Sequence, residues 1–192
     1  MYHLLKRFAP LFGFFLVTLC SPSAFAAERP HTTLWQPTAG DVFVVDVPKN
    51  TGYLVHENGE TLPFPVATGR KETVRYIGRS YRAETPIRTW TAEQMQIKGD
   101  RRTFGVSGRF IRLFRNGENS PYGIHSYYKV SEWMQEDNRY FSMGCIVVTE
   151  DIMDIMEKTF TVNEEKMIVI TTNDAEAALQ KITVSAGNRN EG

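Results

Sequence analysis

Cys145 and His125 are the residues whose types and surroundings best suit covalent chemistry. The segment Tyr140-Phe141-Ser142-Met143-Gly144-Cys145-Ile146-Val147-Val148 sets a thiol between a glycine and a β-branched run, and Pro121-Tyr122-Gly123-Ile124-His125 ends a strand pattern on an imidazole. A nucleophilic thiol at neutral pH needs a nearby base, a group that orients the base, and backbone amides that receive the charge developing on a carbonyl oxygen. His125 is the candidate base, with the Ser126 carbonyl as orienter of its other ring nitrogen. Gly144 permits a tight turn after Ser142, so that the amides of Met143, Gly144 and Cys145 can face one point. Such a set performs acyl transfer through a thioester. A lone cysteine is more often a small buried hydrophobe, and a lone strand histidine is more often a satisfied hydrogen-bond partner. The two segments together favour catalysis.

The rest of the sequence narrows the choice. Lys6 and Arg7, the apolar run Phe8 to Cys20, and Ala24-Phe25-Ala26 form a secretory signal pattern, so residues 1–26 are expected to be removed and residues 27–192 to form one domain with a core at about 42–171. The apolar run is interrupted by Pro10 and Gly13 and is short of the roughly 20 residues of a membrane span, which argues against stable membrane insertion after processing. Leu19 precedes Cys20 where lipid attachment wants a small residue. With Cys20 gone, Cys145 has no intramolecular partner in an oxidising compartment such as the periplasm or cell envelope. The leader carries two basic residues and no acid, so the balanced charge of the whole chain becomes slightly acidic, and no basic field for nucleic acid is present. One cysteine and one histidine fall short of a zinc ligand set, so no metal or cofactor is expected. His31 lies near the start of the mature chain and His56 beside a hairpin, which leaves His125 as base. Nothing in the sequence fixes an oligomeric state.

Several elements must position these residues. Val42, Val44 and Val45, then Tyr53 to His56 before Asn58-Gly59, read as the start of a β-meander. A strand pair is expected at Arg102 to Val106 and Phe110 to Phe114 about Ser107-Gly108. The stretch Arg70 to Gly99 reads as loops with a short helix near Thr91 to Gln96. Val130, Trp133 and Met134 suggest a helical turn on a packing stripe between the two chemical segments. Thr149, as N-cap before Glu150 and Asp151, opens a helix with Ile152, Ile155 and Met156 on one face. The strand Met167 to Thr171 and a helix from Asp174 to Ile182 follow, and Gly187 to Gly192 reads as frayed.

Taken together, these segments resemble the L,D-transpeptidase catalytic domain, or YkuD domain, whose motif is a histidine, a spacer of about the length of residues 126–141, then Ser or Thr, His, Gly and Cys. Phe64-Pro65-Val66-Ala67-Thr68-Gly69 is similar to that family's Thr-Gly turn, and Glu84-Thr85-Pro86 to its Thr-Pro segment. The resemblance implies a mainly β fold, a sandwich or cradle with a few short helices. It also implies attack of Cys145 on the third residue of a peptidoglycan tetrapeptide stem, with loss of the terminal D-alanine. The thioester would pass to a second stem, a free D-amino acid, a protein lysine or water. The alternatives are an L,D-carboxypeptidase that trims stems, and a wall-binding protein without turnover. Met143 stands where the family has a second histidine, Arg88 where it commonly has glycine, and Val147 where it has Arg or Asn. Lys129, Arg139 and Arg112 are the candidates to supply the missing cation.

Overall fold

The structure, a computed structural model, describes residues 35–189. The expected signal segment and His31 lie outside the described residues. An antiparallel meander opens the fold: β1 (Val42–Asp46), β2 (Thr51–Val55) and β3 (Thr61–Pro65). Next come the short β4 (Thr68–Gly69) and a hairpin of β5 (Thr73–Tyr76) and β6 (Arg79–Arg82). The long strands β7 (Arg88–Ile97), β8 (Arg109–Arg115) and β9 (Glu118–His125) follow. After helix α1 (Val130–Trp133), β10 (Tyr140–Ser142) pairs with β4, and β11 (Ile146–Val147) pairs with β9. Helix α2 (Glu150–Val162), β12 (Met167–Thr172) and α3 (Ala175–Arg189) complete the described chain.

Eight strands form one sheet in the order β11-β9-β8-β7-β12-β1-β2-β3, so the fold is a mainly β cradle with three helices among the described residues. Strand alternation sends successive side chains to opposite faces. On β1, Phe43 and Val45 join the core under α2, and Val44 packs with Ala175 and Leu179 of α3. That core also takes Ile111, Ile124 and Ile146 from β8, β9 and β11, with Ile152, Met153, Met156 and Phe160 of α2. Each such side chain contributes about 1.5–3 kcal/mol by leaving water. Arg109 fixes α2 to β8 through Asp154 at 2.6 Å, Glu157 at 2.8 Å and Glu150 at 3.2 Å.

Two expectations are corrected. Thr91 to Gln96 is the middle of β7, because Trp90 and Ala92 must be buried between β12 and β8. Their environment overrides the good helix formers beside them. Arg102 to Val106 is a series of turns in which the Asp100 carboxylate accepts the amides of Arg102 and Thr103. Strand β8 pairs instead with β7 and β9, turning at Asn116 and Gly117, both at positive φ.

Candidate active site

The cleft lies along the β8-β9-β11 edge. Paired residues of neighbouring strands share a face. Ile111, Ile124 and Ile146 all turn inward and are fully buried. The alternate register therefore turns His125, Val147 and Phe110 outward. One residue further back, Cys145 comes alongside Gly123, and Gly123 is paired with Arg112. His125 and Cys145 line one cleft of about 1070 Å³, with Phe110, Arg112 and Tyr122 in its wall.

His125 is nearly buried. Its Nδ1 lies 2.5 Å from the Ser126 carbonyl, which assigns a proton to that nitrogen. Burial lowers its pKa against the opposing hydrogen bonds to the Ser126 and Thr103 backbones. Phe104 packs edge-on at 5.1 Å and Phe110 at 5.9 Å, so the imidazole sits in an apolar frame.

Cys145 is half-buried at the cleft wall. Burial pushes its thiol up to about 11, and a backbone hydrogen bond from Gly123 and the charge of Arg112 oppose that shift. Burial thus favours the neutral form of both the thiol and the imidazole. A thiol pre-ionised at neutral pH is not what this environment favours.

The turn before the thiol is held from both sides. Gly144 has φ +116°, and a Cβ there would lie 2.5 Å from the Tyr122 ring and 2.9 Å from the Glu84 carbonyl. Ser142 Oγ donates to the Cys145 carbonyl at 2.6 Å and accepts the Gly144 amide at 3.1 Å. The Gly144 amide is thus used inside the turn, and the expected set of three cleft-facing amides is reduced by one. Thr85 Oγ1 accepts the Gly69 amide at 2.9 Å and donates to the Gly144 carbonyl at 3.0 Å. The Thr-Gly and Thr-Pro segments therefore meet at the turn before Cys145. The Tyr81 hydroxyl reaches the Met143 carbonyl at 3.5 Å, and the Met143 side chain lines the cleft.

The structure separates the three candidate cations. Lys129 pairs with Glu132 at the surface, and Arg139 is committed to the Val66, Asn50 and Glu136 carbonyls. Only Arg112 of the three lines the cleft. Arg88 lies over the Trp90 ring at 5.0 Å and outside the cleft lining, and Val147 is buried. Tyr81 and Tyr122 were not singled out by sequence. Burial raises both phenols, and the nearby Cys145 adds to the shift. The strand alternation around Tyr122 was a usable signal, whereas Tyr81 arrives on a hairpin with no turn motif. Among the described residues no group of three or more His, Cys, Asp or Glu could hold a metal ion, and no helix is long and apolar enough to cross a membrane.

The family model for the L,D-transpeptidase catalytic domain, YkuD, matches residues 40–174. The fold is similar to an L,D-transpeptidase (residues 123-326) from Xylanimonas cellulosilytica, with a TM-score of 0.50 at 19% identity, over 72% of this chain and 63% of that one. It is also similar to Bd1075 of Bdellovibrio bacteriovorus, with a TM-score of 0.51 at 13% identity, over 80% of this chain and 56% of that one. The alignments span less than two thirds of those solved chains. No curated protein matches the chain.

Proposed function

This chain belongs to the L,D-transpeptidase catalytic-domain family, and on that premise we propose that it is an exported cysteine acyltransferase acting on peptidoglycan tetrapeptide stems, with Cys145 as nucleophile and His125 as base. The observation that carries the reading is the shared cleft face of β9 and β11. It holds a thiol and an imidazole whose second nitrogen is tied to the Ser126 carbonyl.

Both groups start neutral, so ionisation is coupled to attack. As Sγ bonds to the carbonyl carbon of the stem's third residue, the thiol proton passes to His125 Nε2. Collapse of the tetrahedral intermediate breaks the amide, and the imidazolium gives that proton to the departing D-alanine nitrogen. A thioester and neutral His125 remain. An amine acceptor then attacks the thioester, loses a proton to His125, and forms the new amide. The Cys145 sulfur leaves and regains the proton. A second stem as acceptor yields a cross-link joining two third residues, and a free D-amino acid yields exchange. Water yields the trimmed tripeptide of a carboxypeptidase. Ser142, Gly144 and Thr85 hold the turn, and Met143 contributes cleft surface. Residues 1–26 serve as the removed export signal.

The test incubates protein lacking residues 1–26 with disaccharide tetrapeptide and reads products and the intact protein by mass. A thioester adduct on Cys145, with a dimer, exchanged stem or tripeptide as product, is expected, and Cys145→Ser should give none. Turnover persisting in Cys145→Ser, or no adduct and no product from the unaltered protein, defeats the proposal.

A further inference from the structure

Two arginines of β8 are treated in opposite ways. Arg109 is surrounded by Glu150, Asp154 and Glu157. Arg112 is half-buried and has no ion pair among the described residues; its Nη1 donates to the Ser120 carbonyl at 2.7 Å, and its buried Nε has no hydrogen-bond partner. Removing an unpaired cation from water is costly, and a guanidinium is shaped to bind a carboxylate through two parallel N–H donors.

Its placement gives that capacity a target. Arg112 is paired with Gly123 across β8 and β9, and Cys145, the residue just before β11, continues that row by a hydrogen bond with the Gly123 backbone. The Phe110 ring fills the space over Gly123 that a side chain there would take, and the guanidinium rests 4.8 Å from the ring centre. The cleft is lined by the cations Arg70, Arg79, Lys98 and Arg112 and by no Asp or Glu. Arg79 is exposed, Arg70 has Glu72 at 3.4 Å and Lys98 bonds Gln96, which leaves Arg112 as the half-buried cation without a side-chain partner, in line with the thiol.

We propose that Arg112 binds a free carboxylate of the donor stem and so makes the cleft select stems in which that carboxylate is not amidated. This rests on the acyl-transfer reading of the same cleft. A tetrapeptide stem offers two sources, the terminal carboxylate of the leaving residue and the side-chain carboxylate of the third residue. Arg112 is a specificity-determining residue in either case.

Two readouts test it in the unaltered protein, Arg112→Gln and Arg112→Lys, with thermal melting followed in each. The first is independent of turnover: the ratio of Cys145 alkylation rates by anionic iodoacetate and neutral iodoacetamide. That ratio cancels the thiol's own ionisation and reads the local charge. It should fall about fivefold or more in Arg112→Gln, as expected for loss of a unit charge from a partly desolvated cleft, and be largely retained in Arg112→Lys. The second readout compares acylation by the free-acid tetrapeptide, its terminal amide and its side-chain amide. The unaltered protein should discriminate against one amide, which names the carboxylate, and Arg112→Gln should lose that discrimination. An unchanged alkylation ratio, or the same preference in Arg112→Gln as in the unaltered protein, overturns the role of Arg112 while leaving acyl transfer standing. Failure of all three stems to acylate the unaltered protein overturns both.

Discussion

Replacing Thr85 by valine should loosen the turn before Cys145 without removing an atom of the thiol or the imidazole. The change is nearly isosteric, and Thr85 is 5% exposed, so its main effect is loss of the hydroxyl. That hydroxyl accepts the Gly69 amide at 2.9 Å and donates to the Gly144 carbonyl at 3.0 Å, both in buried surroundings. Water has no easy access to either group. A Cβ on Gly69 would lie 2.6 Å from the Thr85 backbone nitrogen, a measure of how closely the two segments are pressed together. One donor and one acceptor are then stranded at about 1–3 kcal/mol each, or about 2–4 kcal/mol together after partial relaxation. For a domain of this size, that lowers the melting temperature by about 6–12 °C at roughly 3 °C per kcal/mol. Acylation of Cys145 should fall as well, because the Gly144 carbonyl is one peptide from the thiol. Thr85→Ser, which keeps the oxygen, should recover most of both losses. Scanning calorimetry and the rate of adduct formation by intact mass are the assays. A Thr85→Val protein that melts within about 1 °C of the original and acylates at the original rate would refute the account of how the turn is held.

Two further outcomes are expected. His125→Ala should reduce stem acylation by about 10² to 10⁴, the usual worth of general-base assistance, whereas Met143→Ala should cost far less, since its side chain cannot move a proton; equal losses in a product assay would place the base elsewhere. The lowered pKa of buried His125 means that the unfolded chain binds this proton more readily than the folded one. Stability from this group is therefore complete above the unperturbed value of about 6.5 and declines as pH falls from there through the lower folded pKa. His125→Gln should flatten that acid limb in chemical denaturation measured against pH, and an unchanged limb would mean that another group sets it.

The parts of the fold that declare themselves locally were legible in the sequence. The β-branched run at β1, the strand at β12 and the apolar spacing of α2 each carry their own pattern, and the helix begins after Thr149 as expected, although no side-chain capping bond forms there. Helix α3 runs beyond the expected Ile182 to Arg189, and the expected fraying falls partly on this helix and partly outside the described residues. The β5–β6 hairpin turns at Ile77 and Gly78, both at positive φ, and isoleucine in that conformation gives no warning of a turn. Strand β7 was hidden because its Ala-Glu-Gln-Met run suits a helix and only the neighbours on either side make it extended. Asn116-Gly117 carries a readable hairpin signal, and it, rather than Ser107-Gly108, turns the chain between β8 and β9. At the site, residue types pointed to the His125 and Cys145 segments. The cross-strand row with Arg112 depends on register, which sequence spacing does not determine.

The pairing of β1 with β12 has a consequence for how the chain comes together. Val42 lies beside Ile168 in a parallel ladder, and β12 is also the strand that joins β1 to β7. Until β12 is available, the meander β1–β3 and the group β7, β8, β9 and β11 share no strand ladder and meet only at the Ala67–Val147 bridge beyond β3. Each would expose an open row of backbone donors and acceptors. Closing such a distant pair costs loop entropy before contacts offset it, which slows folding. A chain with this order stays unclosed until nearly all its strands have emerged, and a truncation ahead of β12 leaves two incomplete sheets with unpaired edges prone to association.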